Sequence, residues 1–165
     1  MPKRYWLMKV EPSAYTIADL ERDGRTGWEG VRNYQARNFL RDELQVGDGV
    51  LFYASNADPS GVTGLAEVVR GGYPDPLQFR MGHEYYDPKA TRDRPIWYSV
   101  DIAFRECFPS VVSLAALKDN RKLLGMLVTK RGVRLSVQPV TAAHFAEVCR
   151  MGRRAGGGSQ RRRSR

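Results

Sequence analysis

The sequence predicts a small mixed α/β barrel, built from about five strands and closed at its ends by short helices. Two observations lead to this fold class. Segments rich in β-branched and aromatic residues recur along the chain, and few are joined by the regular helical crossovers that a doubly wound parallel sheet requires. In addition, the chain has 165 residues of which 42% are hydrophobic, which is enough for one globular domain with a substantial core.

The first strand is predicted over residues 5–10, where the β-forming sequence Tyr-Trp-Leu-Met-Lys-Val is stopped by Glu11-Pro12. Thr16 follows as a helix N-cap with Asp19 three residues later, which predicts a short helix ending at about residue 23. Glycines at 24, 27 and 30 then predict a loop around Trp28.

The central part of the chain is predicted to alternate between a helix and strands. Asn33 caps a helix over residues 34–44, and a nearly continuous apolar run predicts a buried strand over residues 50–54. A turn-rich loop leads to a strand over residues 62–70, and residues 71–94 are predicted to be irregular. Because this irregular segment exceeds 20 residues, we expect it to fold onto the body or to serve a function.

The C-terminal part is predicted to contain two more strands and a terminal helix. The strands cover residues 96–108 and 134–138, with one or two short helices over residues 113–127 between them. An amphipathic helix follows over residues 141–151. The domain is therefore expected to cover residues 1–151, and the Gly/Ser/Arg-rich residues 152–165 are expected to form a disordered basic tail.

The positive charge of the protein is concentrated in that tail. The formal net charge is +9, but seven arginines and no acid follow from Arg150 onward, which leaves 20 basic and 18 acidic residues in positions 1–149. A disordered arginine-rich segment is normally a solvated extension. It is also suited to sequence-independent contacts with phosphates, which weaken steeply as salt rises.

Several classes of protein are excluded or disfavoured by the sequence. No apolar run reaches the ~18–20 residues of a membrane span, and the N-terminus lacks the pattern of a signal peptide. Cys107 and Cys149 are far apart and predict reduced thiols in a cytoplasmic protein. His83 and His144 have no recognisable catalytic or metal-binding context, so we expect no catalytic residue, no metal and no cofactor.

One string, Trp28 to Asn38, combines aromatic, amide and arginine side chains within eleven residues. Amides can hydrogen-bond to the edge of a nucleobase, and an aromatic ring can stack on its face. Arg32 and Arg37 carry guanidinium groups that suit phosphate oxygens. The alternative is that Trp28 belongs to the core and the arginines are only solvated.

This string, together with others in the same order, resembles the EVE domain, the core of the thymocyte nuclear protein family. The resemblance covers about residues 4–148, nearly the whole predicted body. The matching pieces are residues 5–12 (YWLMKVEP), 28–38 (WEGVRNYQARN), 47–48 with 51–56 (LFYASN), 61–68, 73–76 (YPDP), 86–89 (YDPK) and 134–140 (RLSVQPV).

The resemblance implies a PUA-like pseudobarrel of five to six strands with flanking short helices, related to the YTH and ASCH domains. It also implies binding of DNA or RNA that carries a modified base, such as a modified cytosine or adenine, flipped into an aromatic-lined pocket. Family members usually have Ser where this chain has Val10. The absence of that hydroxyl removes one possible polar contact to the ligand here. By position, the pocket residues are Lys9, Val10, Trp28, Gly30, Val31, Asn33, Ser55 and Asn56.

The leading hypothesis is therefore a non-enzymatic, monomeric nucleic-acid-binding module that recognises a modified base, with Trp28 as the stacking ring. Asn33, Ser55 and Asn56 are expected at the base edge, Arg32 and Arg37 at the phosphates, and Trp6 and Trp97 in the core. The alternatives are a general RNA-binding module of the PUA-like type and an enzyme acting on modified nucleotides. The expected location is the cytoplasm, associated with the nucleoid in a bacterium, or the nucleus in a eukaryote.

Overall fold

The fold is a single mixed sheet of six strands with flanking helices, as the sequence predicts. The computed structural model describes residues 2–163, with side-chain positions as far as Arg154. The strands lie in the order β2-β5-β4-β3-β1-β6, so that β2 and β6 are the two edges. Their bounds are β1 Tyr5–Val10, β2 Arg25–Gly27, β3 Gly49–Ala54, β4 Gly61–Pro74, β5 Tyr98–Ser113 and β6 Val137–Val140.

The one parallel pairing in this order, between β1 and β3, brings two loops together at one edge of the sheet. Tyr5 pairs with Gly49 and Val10 with Ala54, so both strands end side by side. The chain after each strand stays close to the other, because the Ser55 N–H donates to the Val10 carbonyl at 2.9 Å. This edge is where the candidate site is built.

Four helices of the described residues pack against the sheet, and the first two begin at the N-caps that the sequence predicts. Thr16 and Asp19 form the reciprocal hydrogen bonds of a capping box at the start of α1, and Asn33 Oδ1 accepts from the Ala36 N–H at the start of α2. The bounds are α1 Ile17–Asp23, α2 Tyr34–Asp42, α3 Leu114–Asp119 and α4 Ala142–Arg163.

The core is divided into two apolar clusters, one on each face of the sheet. The first contains Trp6, Trp28 and Phe52, and the second contains Leu51, Phe108 and the inward side of α4. Trp6 is fully buried and Trp97 is nearly so, as the sequence predicts.

Two regions predicted as loops are ordered by pairing and by a buried amide. The glycine-rich loop before Trp28 contains β2, which pairs antiparallel with β5. In the segment predicted to be irregular, β4 continues to Pro74 and a short 3-10 helix covers Pro76–Phe79. The fully buried Gln78 side chain then donates to the Trp97 carbonyl at 2.7 Å and accepts from the Trp97 N–H at 2.8 Å.

The terminal helix is longer than the sequence predicts, since it continues beyond residue 151 into the segment expected to be a tail. α4 continues through Gly152, which is buried against the Phe108 ring, while Arg153 binds Glu106 at 2.8 Å. These contacts are made across the fold, so the local Gly-rich composition did not reveal them. The last two residues of the predicted tail, 164 and 165, lie outside the described residues. None of the helices in residues 2–163 is both long and apolar enough to cross a membrane.

Candidate ligand pocket

A cavity of about 600 Å³ opens at the sheet edge where β1 ends. This volume falls in the range of about 300–1,000 Å³ that is typical of small-molecule sites. Its walls come from the end of β1, the segment before α1, the loop between β2 and α2, and the irregular segment before β5. The lining residues of the loop between β2 and α2 are Trp28, Glu29, Gly30, Val31 and Arg32.

Trp28 belongs to the core and lines the cavity at the same time. The side chain is 7% exposed, and its ring meets Phe52 edge to face with 5.8 Å between centroids. The Trp28 N–H donates to the Val100 carbonyl at 2.7 Å, which fixes the loop to β5. The functional and the core interpretations of Trp28 are therefore compatible, because a ring held rigidly by the core can present an edge or face to a ligand at little entropic cost.

A buried carboxylate shapes the pocket loop. Asp75 is fully buried and accepts from the Gly30 N–H at 2.8 Å, from Arg32 Nη1 at 2.9 Å and from the Leu77 N–H at 2.8 Å. It thereby joins the loop carrying Trp28 to the end of β4. Such a group stabilises a structure only when its partners are all in place, and here three donors surround it.

Tyr85 forms the wall that faces Gly30. A Cβ built on Gly30 would lie 2.7 Å from the Tyr85 ring, and Gly30 has φ +86, so a side chain is disfavoured there on both counts. Gly30 therefore lines the cavity, and its lack of a side chain lets the tyrosine ring approach the backbone.

The Arg32 guanidinium is directed into the protein, whereas a phosphate ligand requires a guanidinium directed toward solvent. Its side chain is 20% exposed, its Nη atoms bind Asp75 and the Tyr85 carbonyl, and its Nε is buried without a hydrogen-bond partner among the described residues. The guanidinium also lies over Tyr85 and Trp97, at 5.1 and 5.3 Å from the ring centroids. These contacts engage the guanidinium with protein groups, and through them Arg32 supports the pocket wall.

Arg37 is the outer member of a stack that it forms with the Tyr34 and Trp97 rings. Tyr34 stacks on Trp97 with 4.9 Å between centroids, and Arg37 lies 5.0 Å from the Tyr34 ring while donating to the Ile96 carbonyl. Protein acceptors engage the Arg37 guanidinium, as they do that of Arg32.

The polar side chains that line the cavity carry charges of both signs. Lys9 lies at the end of β1, and burial lowers the pKa of its ammonium group. Glu29 lies on the loop between β2 and α2 and makes no hydrogen bond or ion pair with the described residues. Burial, and then the nearby Asp75, raise the pKa of the Glu29 carboxyl. The cavity thus offers a donor and an acceptor.

The remaining predicted pocket residues are divided between the lining and its rim. Val10 and Val31 line the cavity. Asn56, at φ 50, donates to Glu11 Oε1 at 2.7 Å and so joins the rim to the end of β1, with Ser55 beside it. The cavity lining contains none of Ser55, Asn56 and Asn33. Asn33 uses its side-chain oxygen as the helix cap.

Sequence reasoning missed Glu29, Asp75, Tyr85 and Tyr15. The first two fall within motifs that carried the resemblance, so an acidic residue beside the proposed stacking ring was available as a signal. Tyr85 lies in a segment without periodicity, and no local pattern placed it. Tyr15 donates to Asp23 at 2.7 Å, and burial together with this hydrogen bond raises its pKa to about 12, so it remains neutral at the cavity wall.

Nothing in residues 2–163 gathers three or more His, Cys, Asp or Glu side chains in a geometry that could hold a metal ion. The cavity combines the Trp28 ring, a tyrosine wall, the cationic residue Lys9 and two carboxyls, Glu29 and Glu84, that have no ion-pair partner among the described residues. An arrangement of this kind suits a flat, partly polar ligand.

The chain belongs to the EVE domain family, whose sequence model matches residues 4–151. Among its relatives is human thymocyte nuclear protein 1, which is 38% identical, with 86% of this chain and 70% of that protein covered. The zebrafish (Danio rerio) protein of the same name is 40% identical, with 85% and 68% covered.

Solved structures show the same fold. A crystal structure of the human THYN1 protein in complex with 5-methylcytosine containing DNA matches with a TM-score of 0.84 and 36% identity, covering 91% of this chain and 98% of that chain. A hypothetical protein from Leishmania major matches with a TM-score of 0.87 and 45% identity, covering 93% and 97%. The YTH domain of the Zygosaccharomyces rouxii MRB1 protein, at 14% identity and a TM-score of 0.54 over 92% and 87% of the two chains, shares the fold.

Proposed function

We propose that this protein is a non-enzymatic nucleic-acid-binding module that takes a modified base, flipped out of its strand, into the cavity at the end of β1. The observation that carries the proposal is the human THYN1 structure with 5-methylcytosine containing DNA, which matches 91% of this chain at 36% identity. The cavity supports it, because a ring of a nucleobase needs an aromatic surface and a few polar groups at its edge.

Trp28 is the side chain on which the base stacks in this proposal. Extracting a base from a duplex costs a few kcal/mol, and stacking on an aromatic side chain returns about 1–3 kcal/mol per base. Trp28 lines the cavity and is held by Phe52 and by β5. Tyr85, across the loop, completes the aromatic surface.

Lys9 and Glu29 hydrogen-bond to the base edge in this proposal. A cytosine edge presents carbonyl and ring-nitrogen acceptors, which suit an ammonium donor, and an amino donor, which suits a carboxylate. Glu29 also repels phosphates, so its place in the lining favours contact with a base over contact with the backbone. The assignment of the edge contacts thus moves from Asn33, Ser55 and Asn56 to these two residues.

A 5-methyl group adds apolar area that the cavity can bury. At about 0.8 kcal/mol for a group the size of a CH₂, the methyl alone accounts for about a fourfold preference. Val10 contributes to this apolar lining, where a Ser would offer a hydroxyl instead. A larger preference therefore requires close packing around the methyl group.

The experiment is a titration of labelled duplexes that carry one 5-methylcytosine or one cytosine, at fixed salt, with wild type and two variants. We expect about fourfold or greater preference for the methylated duplex. Trp28→Leu keeps an apolar side chain, although a smaller one, and removes the ring, and it should weaken binding by about 1–3 kcal/mol. Trp28→Phe keeps an aromatic ring and should therefore lose less binding free energy than Trp28→Leu. Equal affinity for both duplexes in the wild type refutes the proposal.

A further inference from the structure

The segment that leads from the 3-10 helix Leu127–Thr129 into β6 carries exposed cations and no acid. No Asp or Glu occurs between Asp119 and Glu147. The same stretch contains Arg121 and Lys122 and, just before β6, Lys130, Arg131 and Arg134. The side chains of Lys130, Arg131 and Arg134 are exposed. We call residues 130–134 the basic loop.

Lys130, Arg131 and Arg134 differ from exposed arginines such as Arg41 and Arg105, which bind carboxylates of the fold. Arg41 binds Asp42 at 2.8 Å and Arg105 binds Glu67 at 2.8 Å. Within the part of the chain whose side chains are described, no carboxylate lies within ion-pair distance of the basic loop. Its charge is therefore available to a ligand.

The basic loop ends beside the cavity. Ser136 lines the cavity, and its carbonyl accepts from the Lys9 N–H at 2.9 Å. Arg134 is two residues earlier, which places its Cα within about 7 Å of that of Ser136. Val133, between the cations, packs on the cluster that contains Trp28, so the loop is anchored to the pocket through the core.

We infer that the basic loop binds the backbone phosphates on the strand whose base enters the cavity. Guanidinium groups match phosphate oxygens in geometry and charge. A turn at Gly132, where φ is +83 and nothing lies within 4 Å of a Cβ, leaves the loop open to solvent. This inference rests on the proposed function, and it replaces Arg32 and Arg37 as the source of phosphate contacts.

The test compares two double variants that remove the same charge from different places. Arg131→Gln/Arg134→Gln removes both arginines of the basic loop, and Arg41→Gln/Arg105→Gln removes two exposed arginines that are paired within the fold. The equilibrium constant for a duplex is measured from 50 to 200 mM KCl. Each phosphate contact contributes about 0.9 to the slope of log K against log salt concentration.

We expect the slope of the loop variant to fall by up to about 1.8 and that of the control to stay near the wild-type value. Affinity should fall equally for methylated and unmethylated duplexes. Lys130→Gln, a single exposed substitution, should lower the slope by about 0.9. An unchanged slope in both loop variants, or an equal change in the control, overturns the inference. Equal affinity of the wild type for the methylated and unmethylated duplexes is a separate result, and it refutes the proposed function.

Discussion

Trp28, Glu29, Gly30 and Arg32 are consecutive or nearly so, yet each does something different. Trp28 faces the core and the cavity, Glu29 leaves its carboxyl free, Gly30 admits the Tyr85 ring, and Arg32 points inward to Asp75. The sequence predicted the string as a unit, because its composition is unusual. It did not predict which arginine is buried, because the partner Asp75 is 43 residues away.

Replacing Glu29 by Gln should reduce discrimination between cytosine and thymine. A carboxylate accepts from the cytosine amino group and opposes the thymine carbonyl, whereas an amide can turn to suit either base. The measurement is competition between duplexes that differ at one base. Glu84→Gln, which also alters a cavity-lining carboxyl, is the matched control and should change the ratio less.

The Glu29 carboxyl should also make the selectivity for cytosine depend on pH. Because the pKa of Glu29 is raised above its ordinary 4.5, protonation begins at a higher pH than for a solvated glutamate. The ionised form is the one that favours an amino group, so selectivity for cytosine should be present at neutral pH and decline as pH falls through the raised pKa. Glu29→Gln should abolish that dependence. A selectivity independent of pH in the wild type contradicts the role given to Glu29.

Asp75→Asn should lower the free energy of unfolding by about 3 kcal/mol or more, because it leaves the mostly buried Arg32 without its counter-charge. Urea denaturation measures the change. Asp42→Asn breaks an ion pair at the surface and should change stability by less than about 1 kcal/mol. Equal effects of the two substitutions are inconsistent with Asp75 organising the loop.

Elements with local signals were predicted well, and elements that depend on distant partners were not. Thr16 with Asp19 and the Asn33 cap marked two helix starts. β2 has only three residues, between glycines, and exists because β5 pairs with it. The end of α4 was misplaced because Gly152 normally stops a helix, whereas here the absent side chain allows contact with Phe108.

Gly152→Ala tests that contact. A Cβ at this position would lie 2.5 Å from the Phe108 ring, so we expect a loss of about 1–3 kcal/mol from overpacking, despite the better helix propensity of Ala. Thermal unfolding measures the loss. The double variant Phe108→Leu/Gly152→Ala should be less destabilised than the sum of its single variants. A more stable Gly152→Ala protein rules out the contact.

At the scale of the whole molecule, we assign net charge and base selectivity to different parts of the chain. Positions 1–149 carry 20 basic and 18 acidic residues, and the excess lies near the C-terminus. Within the body, the charges to which we assign a role are local: the Glu29 carboxyl at the cavity and the basic loop beside it. Net charge alone therefore favours a polyanionic partner without indicating which residues would contact it.

Deleting residues 155–165 should weaken the salt dependence of binding and leave the preference for a modified base intact. The deletion removes Arg161, Arg162, Arg163 and Arg165, each able to contribute up to about 0.9 to the salt slope, and it spares Gly152 and Arg153, which contact the body. A Gly/Ser segment of equal length is the control for chain length. Loss of the preference after deletion would place selectivity in the tail.

The central claim is that a base leaves its strand and enters the cavity lined by Trp28. The most direct measurement places 2-aminopurine next to a single 5-methylcytosine, since this analogue fluoresces more strongly when its neighbour is unstacked. Saturating wild-type protein should raise the fluorescence of the methylated duplex, and Trp28→Leu at the same occupancy should raise it much less. Saturated binding without any rise in fluorescence would contradict the claim.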